Sequence, residues 1–253
     1  MNRVVITPLG TVSPYAKGSM NCPGFLIKYN NKKLLLDCGN GITRLLNFPK
    51  DLEELSVIIT HYHKDHFGDL GALQYASYVY HNLGVLDKKI KIYLPENDVA
   101  FSKRSIISSN ESYSDYYDIN GSYSFSMDDL NVTFEDNNSH TVESYMVKLE
   151  NKDVKIIYTS DIGTTNFNKL VDFCKNADLI ICESSFLIKH NASSKTHMTA
   201  YDAGVLARKS NAKKLLLTHF WPEESKSLYL EEALQNFKNV EVAEEGKSLD
   251  LNF

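Results

Sequence analysis

Short apolar runs bounded by Gly, Asn or Asp recur along the whole chain, and many are rich in Ile, Val and Tyr. That pattern predicts strands at Val4 to Thr7, Phe25 to Tyr29, Lys33 to Asp37, Ser56 to Thr60, Ile90 to Leu94, Asn131 to Phe134, Tyr145 to Leu149, Val154 to Thr159, Leu179 to Glu183 and Lys214 to Thr218, with Val240 to Val242 and Ser248 to Leu251 closing the chain. Asn30-Asn31 and Asn151-Lys152-Asp153 predict tight turns between paired strands. A helical period replaces the alternating one in four places. Leu70, Leu73, Ala76 and Tyr80 form one stripe. Leu170, Phe173 and Cys174 mark a helix over Thr165 to Lys175, with Thr164 or Thr165 as its cap. Ala203, Leu206 and Ala207 mark one over Thr199 to Lys209, and Leu228, Leu230, Ala233 and Leu234 one over Glu223 to Phe237. Hairpins and βα alternation together predict an α/β architecture of sheets with helices outside, in a single domain over residues 1–253.

Composition narrows the class. Hydrophobic residues make up 43% and charged residues 23% of the 253, the balance of a folded globular chain. The net charge of −5 argues against a broad basic surface for duplex nucleic acid. No apolar run approaches the ~18 residues of a membrane span, and Met1 to Gly10 lacks the features of a secretion signal. Cys22, Cys38, Cys174 and Cys182 are scattered and form no C-x-x-C, so reduced buried thiols and a cytoplasmic location are expected.

One segment stands apart. In Thr60-His61-Tyr62-His63-Lys64-Asp65-His66-Phe67-Gly68-Asp69, three histidines and an aspartate fall within six positions, directly after a predicted strand. Imidazole and carboxylate are the usual ligands of zinc and similar ions. His61 and His63 are two apart, so an extended backbone sends both rings to one side. Asp65 and His66 follow where the chain leaves the strand, placed for a second ion. Three more candidates sit at strand boundaries: His140 before Tyr145 to Leu149, Asp161 after Val154 to Thr159, and His219 after Lys214 to Thr218. Strand ends are where sites are commonly built.

His61-x-His63-x-Asp65-His66, followed by His140, Asp161 and His219, resembles the metallo-β-lactamase superfamily of metal-dependent hydrolases over essentially the whole chain. Leu34-Leu35-Leu36-Asp37-Cys38-Gly39 matches the superfamily's strand and turn ahead of the metal motif. The resemblance implies an αβ/βα sandwich of two mixed sheets flanked by helices. It implies two divalent ions, zinc first, with manganese or iron as alternatives. His61, His63 and His140 would hold one ion and Asp65, His66 and His219 the other, with Asp161 bridging. A hydroxide shared by the ions would be the nucleophile, and Asp65 would belong to the catalytic set. Asp37 would accept a hydrogen bond from a metal-bound histidine, as such sites need.

Cys182-Glu183-Ser184-Ser185-Phe186, His197-Met198-Thr199-Ala200 and Leu217-Thr218-His219-Phe220 are similar to the ribonuclease Z branch. In that branch a His protonates the leaving oxygen and a Glu orients it, which implies those roles for His197 and Glu183. One departure matters. Short-form ribonuclease Z carries a long Gly/Pro-rich arm between the metal His and the bridging Asp, whereas 20 residues separate His140 from Asp161 here, and two predicted strands consume them. The resemblance is therefore to an armless phosphodiesterase acting on a small phosphodiester, with RNA as the alternative substrate. The competing activity on the same ions is lactone, ester or thioester hydrolysis. Lactonases often place a Tyr shortly after the bridging Asp, where this chain has Ile162-Gly163-Thr164-Thr165.

Tyrosines crowd the segment from Gln74 to Tyr123, at positions 75, 78, 80, 93, 113, 116, 117 and 123. Ordinary packing is the first expectation for them; an exposed Tyr75 to Tyr80 face would fit the homodimer that superfamily members commonly form through this helix. Ser102-Lys103-Arg104 and Arg208 to Lys214 are basic clusters, read as solvated charge.

Overall fold

The computed structural model describes residues 3–97, 102–108, 114–192 and 195–253. The chain divides into two compact units, Met1–Ile119 with Glu244–Phe253, and Asn120–Ala243. Each is built on one seven-stranded mixed sheet flanked by helices.

In the first unit the strands are β1 (Arg3–Gly10), β2 (Gly24–Tyr29), β3 (Lys32–Leu36), β4 (Leu55–Ile58), β5 (Ile90–Pro95) and β6 (Ser114–Ile119). The last strand of the chain, β14 (Leu249–Asn252), returns to β1, so the order is β14-β1-β2-β3-β4-β5-β6. Antiparallel pairing through β1, β2 and β3 gives way to parallel pairing from β3 to β6. The change is legible in the chain. Asn30, in a left-handed conformation, turns β2 tightly into β3, whereas β4 and β5 are joined through helices α1 (Lys64–Phe67) and α2 (Leu70–Asn82). Leu70 and Leu73 of α2 are buried in a cluster with Leu35, Val57, Ile59, Ile92 and Leu94, and Ala76 and Tyr80 pack against it, as the stripe predicts.

In the second unit the strands are β7 (Ser124–Met127), β8 (Leu130–Asp136), β9 (Tyr145–Glu150), β10 (Lys155–Tyr158), β11 (Leu179–Glu183), β12 (Leu215–Thr218) and β13 (Val240–Val242), ordered β13-β12-β11-β10-β9-β8-β7. β10, β11, β12 and β13 run parallel, crossing through α4 (Phe167–Phe173), α5 (Ala200–Lys209) and α6 (Lys226–Leu234). β11 and β12 are apolar without alternation, and Leu179, Ile180, Ile181, Leu215 and Leu217 are fully buried, the signature of a parallel strand covered on both faces.

Three expectations need correction. β6, β7 and the helix α3 (Ser102–Ser108) are absent from the periodicity reading. Neither Thr164 nor Thr165 caps α4; Asn166 stands at that position without a side-chain cap, and the helix is shorter than its apolar pattern. α6 is likewise trimmed at both ends, starting behind Ser225, whose hydroxyl accepts from Ser227 N. Thr199, by contrast, caps α5 reciprocally with Asp202, each backbone N–H donating to the other's side chain.

The other candidate features are mostly structural. Tyr93 stacks on Tyr117 at 5.0 Å, and Tyr116 accepts from Gln74 at 2.7 Å. Tyr75 is exposed, and Tyr113 lies outside the described residues. Lys103 pairs with Asp118, Lys213 with Asp178 and Lys214 with Glu241, so these members of the two basic clusters are balanced by carboxylates. No described helix is long and apolar enough to cross a membrane.

Candidate metal centre

The first donor set is built where β3 and β4 end. β3 runs into Asp37, which takes a left-handed backbone conformation at φ 59°, tolerable for Asp because its short side chain bonds locally. Asp37 N donates to Ile58 O, Cys38 N to His66 O and Asp69 N to Cys38 O, so the turn after β3 is stitched to the segment after β4. Gly39 permits this approach, because a Cβ there would overlap the carbonyl oxygen of Asp65. Within the segment the His61 ring lies 4.7 Å from that of His63 and 4.1 Å from that of His66, centroid to centroid. Asp65 Oδ2 lies 3.7 Å from His66 Nε2 and accepts from the Ser13 hydroxyl at 2.8 Å.

The fully buried Asp37 carboxylate organises these rings. His66 Nδ1 donates to Oδ2 at 2.8 Å. The Thr60 hydroxyl also donates to this carboxylate, at 3.0 and 3.1 Å, and Thr60 N donates to Oδ1 at 2.9 Å. With its proton so committed, Thr60 Oγ accepts from His61 Nδ1 at 3.1 Å. His61 and His66 thereby carry their protons on Nδ1 and present Nε2 as the ligating atom.

The second donor set comes from three strand boundaries in the other unit. Asp161 follows β10, and Ser160 before it adopts φ 53°. Asn137 holds this loop by donating Nδ2 to the Asp161 carbonyl, while Ser139 Oγ accepts from Gly163 N at 2.8 Å. The same segment carries His140, whose Nε2 lies 4.0 Å from Asp161 Oδ2. His219 leaves β12 at φ 64° with Nε2 at 2.8 Å from Asp161 Oδ1. Non-glycine residues with positive φ thus sit at the ends of β3, β10 and β12, strain of the kind concentrated at functional sites.

Glu183 ends β11 with its side chain 1% exposed. Its Oε1 accepts from Ile162 N at 2.8 Å and from His197 Nδ1 at 2.9 Å; its Oε2 accepts from Ser185 N at 3.1 Å and the Ser185 hydroxyl at 2.6 Å. His197 is brought there because Phe186 N donates to Met198 O, and Ala200 N to Phe186 O, pinning the two segments together. Its ring stacks on His219 at 5.7 Å with 17° between planes. Gly163 admits the Lys195–Thr196 backbone, since a Cβ there would overlap the Lys195 carbonyl.

Asp161, His197 and His219 each offer one donor atom, all within 4.8 Å of one another. Nitrogen and carboxylate oxygen donors, anchored from behind by buried carboxylates, fit a divalent cation in chemistry and in orientation. Thr60, Ser185, Asn137 and Ser139 escape a reading of the sequence for ligands, because hydroxyl and amide supports have no spacing rule. Their signal is proximity: Thr60 precedes His61, Ser185 follows Glu183, and Asn137 and Ser139 precede His140. All four cysteines are buried and reduced, and burial raises each thiol pKa.

The sequence profile of the family described as "Anti-Pycsar protein Apyc1" matches residues 4–241. The probable metallo-hydrolase YhfI of Bacillus subtilis is 28% identical over 85% of this chain and 86% of its own length. The ribonuclease Z of Clostridioides difficile is 29% identical over 90% of this chain and 92% of its own. Among solved structures, the metallo-β-lactamase fold protein YhfI superposes with a TM-score of 0.86 at 23% identity, over 99% of this chain and all of that one. Human short-form tRNase Z superposes at 0.75 and 22% identity, over 97% of this chain and 98% of that one. A diphosphatase of the PhnP family superposes at 0.77 and 15% identity, over 99% and 98%.

Proposed function

The chain belongs to the anti-Pycsar protein Apyc1 family and is a metal-dependent hydrolase of the metallo-β-lactamase fold; on that premise we propose that it cleaves phosphodiester bonds at a dinuclear centre. The ligand assignment follows the resemblance: His61, His63 and His140 to one ion, Asp65, His66 and His219 to the other, and Asp161 to both. When bound, such a pair of ions supplies a water activated near neutral pH and positive charge against the phosphoryl oxygens.

The residues of the chain do the remainder. Asp37 and Glu183 fix imidazoles from behind. The observation that carries the phosphodiesterase reading is the Glu183–His197 pair. With its Nδ1 held by Glu183 at 2.9 Å and its ring stacked beside His219, His197 is oriented to release a proton from Nε2. That proton goes to the departing oxygen, general acid catalysis worth typically 10²- to 10⁴-fold. Glu183 has each oxygen accepting two hydrogen bonds, so it is fixed in place and orients His197.

A small phosphodiester, such as a cyclic phosphate, is the substrate class we favour. The stretch between His140 and Asp161 is occupied by β9, β10 and their turn, where the tRNA-gripping arm would have to emerge. Tyr75, Val79 and Leu83, exposed along α2 and just beyond its end, form the face we assign to a homodimer contact.

The test is a substrate panel run with zinc and with manganese: nitrophenyl phosphodiester, cyclic phosphodiester, precursor tRNA, phosphomonoester, lactone and thioester. Turnover of the diesters above all others supports the reading. Preferred turnover of a lactone or thioester overturns it.

A further inference from the structure

The Ser185 side chain touches Glu183, His197 and His219 together, and no metal or acid–base role falls to it in the proposed site. Its Oγ lies 2.6 Å from Glu183 Oε2, 2.8 Å from His219 Nδ1 and 3.3 Å from His197 Nδ1. A hydroxyl has one proton and two lone pairs, so at most one of these three contacts is a donation by serine. The shortest is to a buried carboxylate, the strongest acceptor present, and the proton goes there. The oxygen is then an acceptor towards both rings.

The consequence differs for the two histidines. His197 Nδ1 already donates to Glu183 Oε1 at 2.9 Å, and its contact with Ser185 is a longer side branch of that bond. For His219, Ser185 Oγ lies directly against Nδ1, and the opposite nitrogen faces Asp161 Oδ1 at 2.8 Å. We propose that Ser185 is a positioning residue: with its proton committed to Glu183 it offers an acceptor to His219 Nδ1, which fixes the orientation of the ring and turns Nε2 towards Asp161 and the metal side. One carboxylate thereby governs two imidazoles, His197 directly and His219 through a hydroxyl. Asp37 governs His66 directly and His61 through Thr60 in the same way. The proposal rests on the reading of His219 as a ligand.

The test uses the full chain. Long-range ¹H–¹⁵N correlation of the zinc-loaded protein, with His219 assigned from the spectrum of His219→Gln, reads whether its Nδ1–H is hydrogen-bonded. The wild type is expected to show an Nδ1–H at His219 protected from exchange with water, Ser185→Ala to lose that signal to exchange, and Ser185→Thr to restore it. Zinc affinity by chelator competition is expected to fall about 10- to 100-fold in Ser185→Ala, the usual effect of removing a ligand's supporting partner. It should return to within about threefold of wild type in Ser185→Thr, a rescue that loss of packing alone would not show. A freely exchanging Nδ1–H at His219 in the wild type overturns the proposal without recourse to any variant. So does Ser185→Ala with both exchange and zinc affinity unchanged. A wild type that binds no zinc would overturn the ligand reading, whereas zinc bound equally by the wild type and Ser185→Ala overturns the proposal alone.

Discussion

Glu183 Oε1 and His197 Nδ1 are 2.9 Å apart, with the carboxylate fully buried and the imidazole only partly so. A buried carboxylate fixing a partly exposed ring suits a group that must meet substrate in one orientation. His197→Ala is expected to keep its metal yet lose at least about 10²-fold in kcat on an unactivated diester. On a nitrophenyl diester, whose leaving group needs no proton, the loss should stay within about fivefold. Comparison of kcat for the two substrates checks this, and equal losses would remove the general-acid role.

Asp161 is the proposed donor common to both ions. Asp161→Ala is expected to lower bound metal per chain, read by elemental analysis after dialysis. Unchanged metal content would refute the bridging assignment.

Gly163 tests whether backbone packing sets the position of His197. Any side chain there must push the Lys195–Thr196 backbone away, two residues before His197. Gly163→Ala is expected to fold and to lose about 10²-fold in kcat on an unactivated diester, the cost of a misplacement of about 1 Å at a reacting group. Full activity in this variant would show that the contact does not position the ring.

The thiols give a prediction independent of catalysis. Burial pushes Cys22 and Cys174 up to about 12, and Cys38 and Cys182 well above the usual thiol range. At pH 8 the thiolate fraction of the first two is on the order of one in ten thousand. A disulfide reagent is expected to titrate no thiol in the folded chain and four after denaturation, matching the four free cysteines. The sign for stability follows. Above about pH 9 the unfolded chain loses these protons and the folded chain keeps them, so the contribution is complete below that pH and is lost as pH rises towards about 12. Denaturant midpoints measured between pH 8 and pH 10.5 should decline.

Much of this is legible in the sequence, for reasons tied to particular residues. Leu179 to Cys182 and Leu215 to Leu217 announce covered parallel strands because every position is apolar and buried. His61 to His66 is legible because so many imidazoles in a short segment are costly as packing. β6, which reads Ser-Asp-Tyr-Tyr-Asp-Ile, escapes the apolar pattern because its acidic residues are exposed, and its place is fixed by pairing with β5. Thr165 does not cap α4 because it uses its hydroxyl elsewhere, donating to Lys195 O. Thr60 and Ser185 carry no spacing signal because the value of a hydroxyl relay lies in which neighbour takes its proton.

The recurrence of a carboxylate, a hydroxyl and two imidazoles behind β3 and again behind β11 has a kinetic consequence. Rings that are already aimed need no reordering when an ion arrives, so the entropic toll of capture is small and uptake should be rapid. Release, in turn, would require several anchored groups to let go at once, so an ion that has entered should leave slowly even when the surrounding solution is swept clean of it.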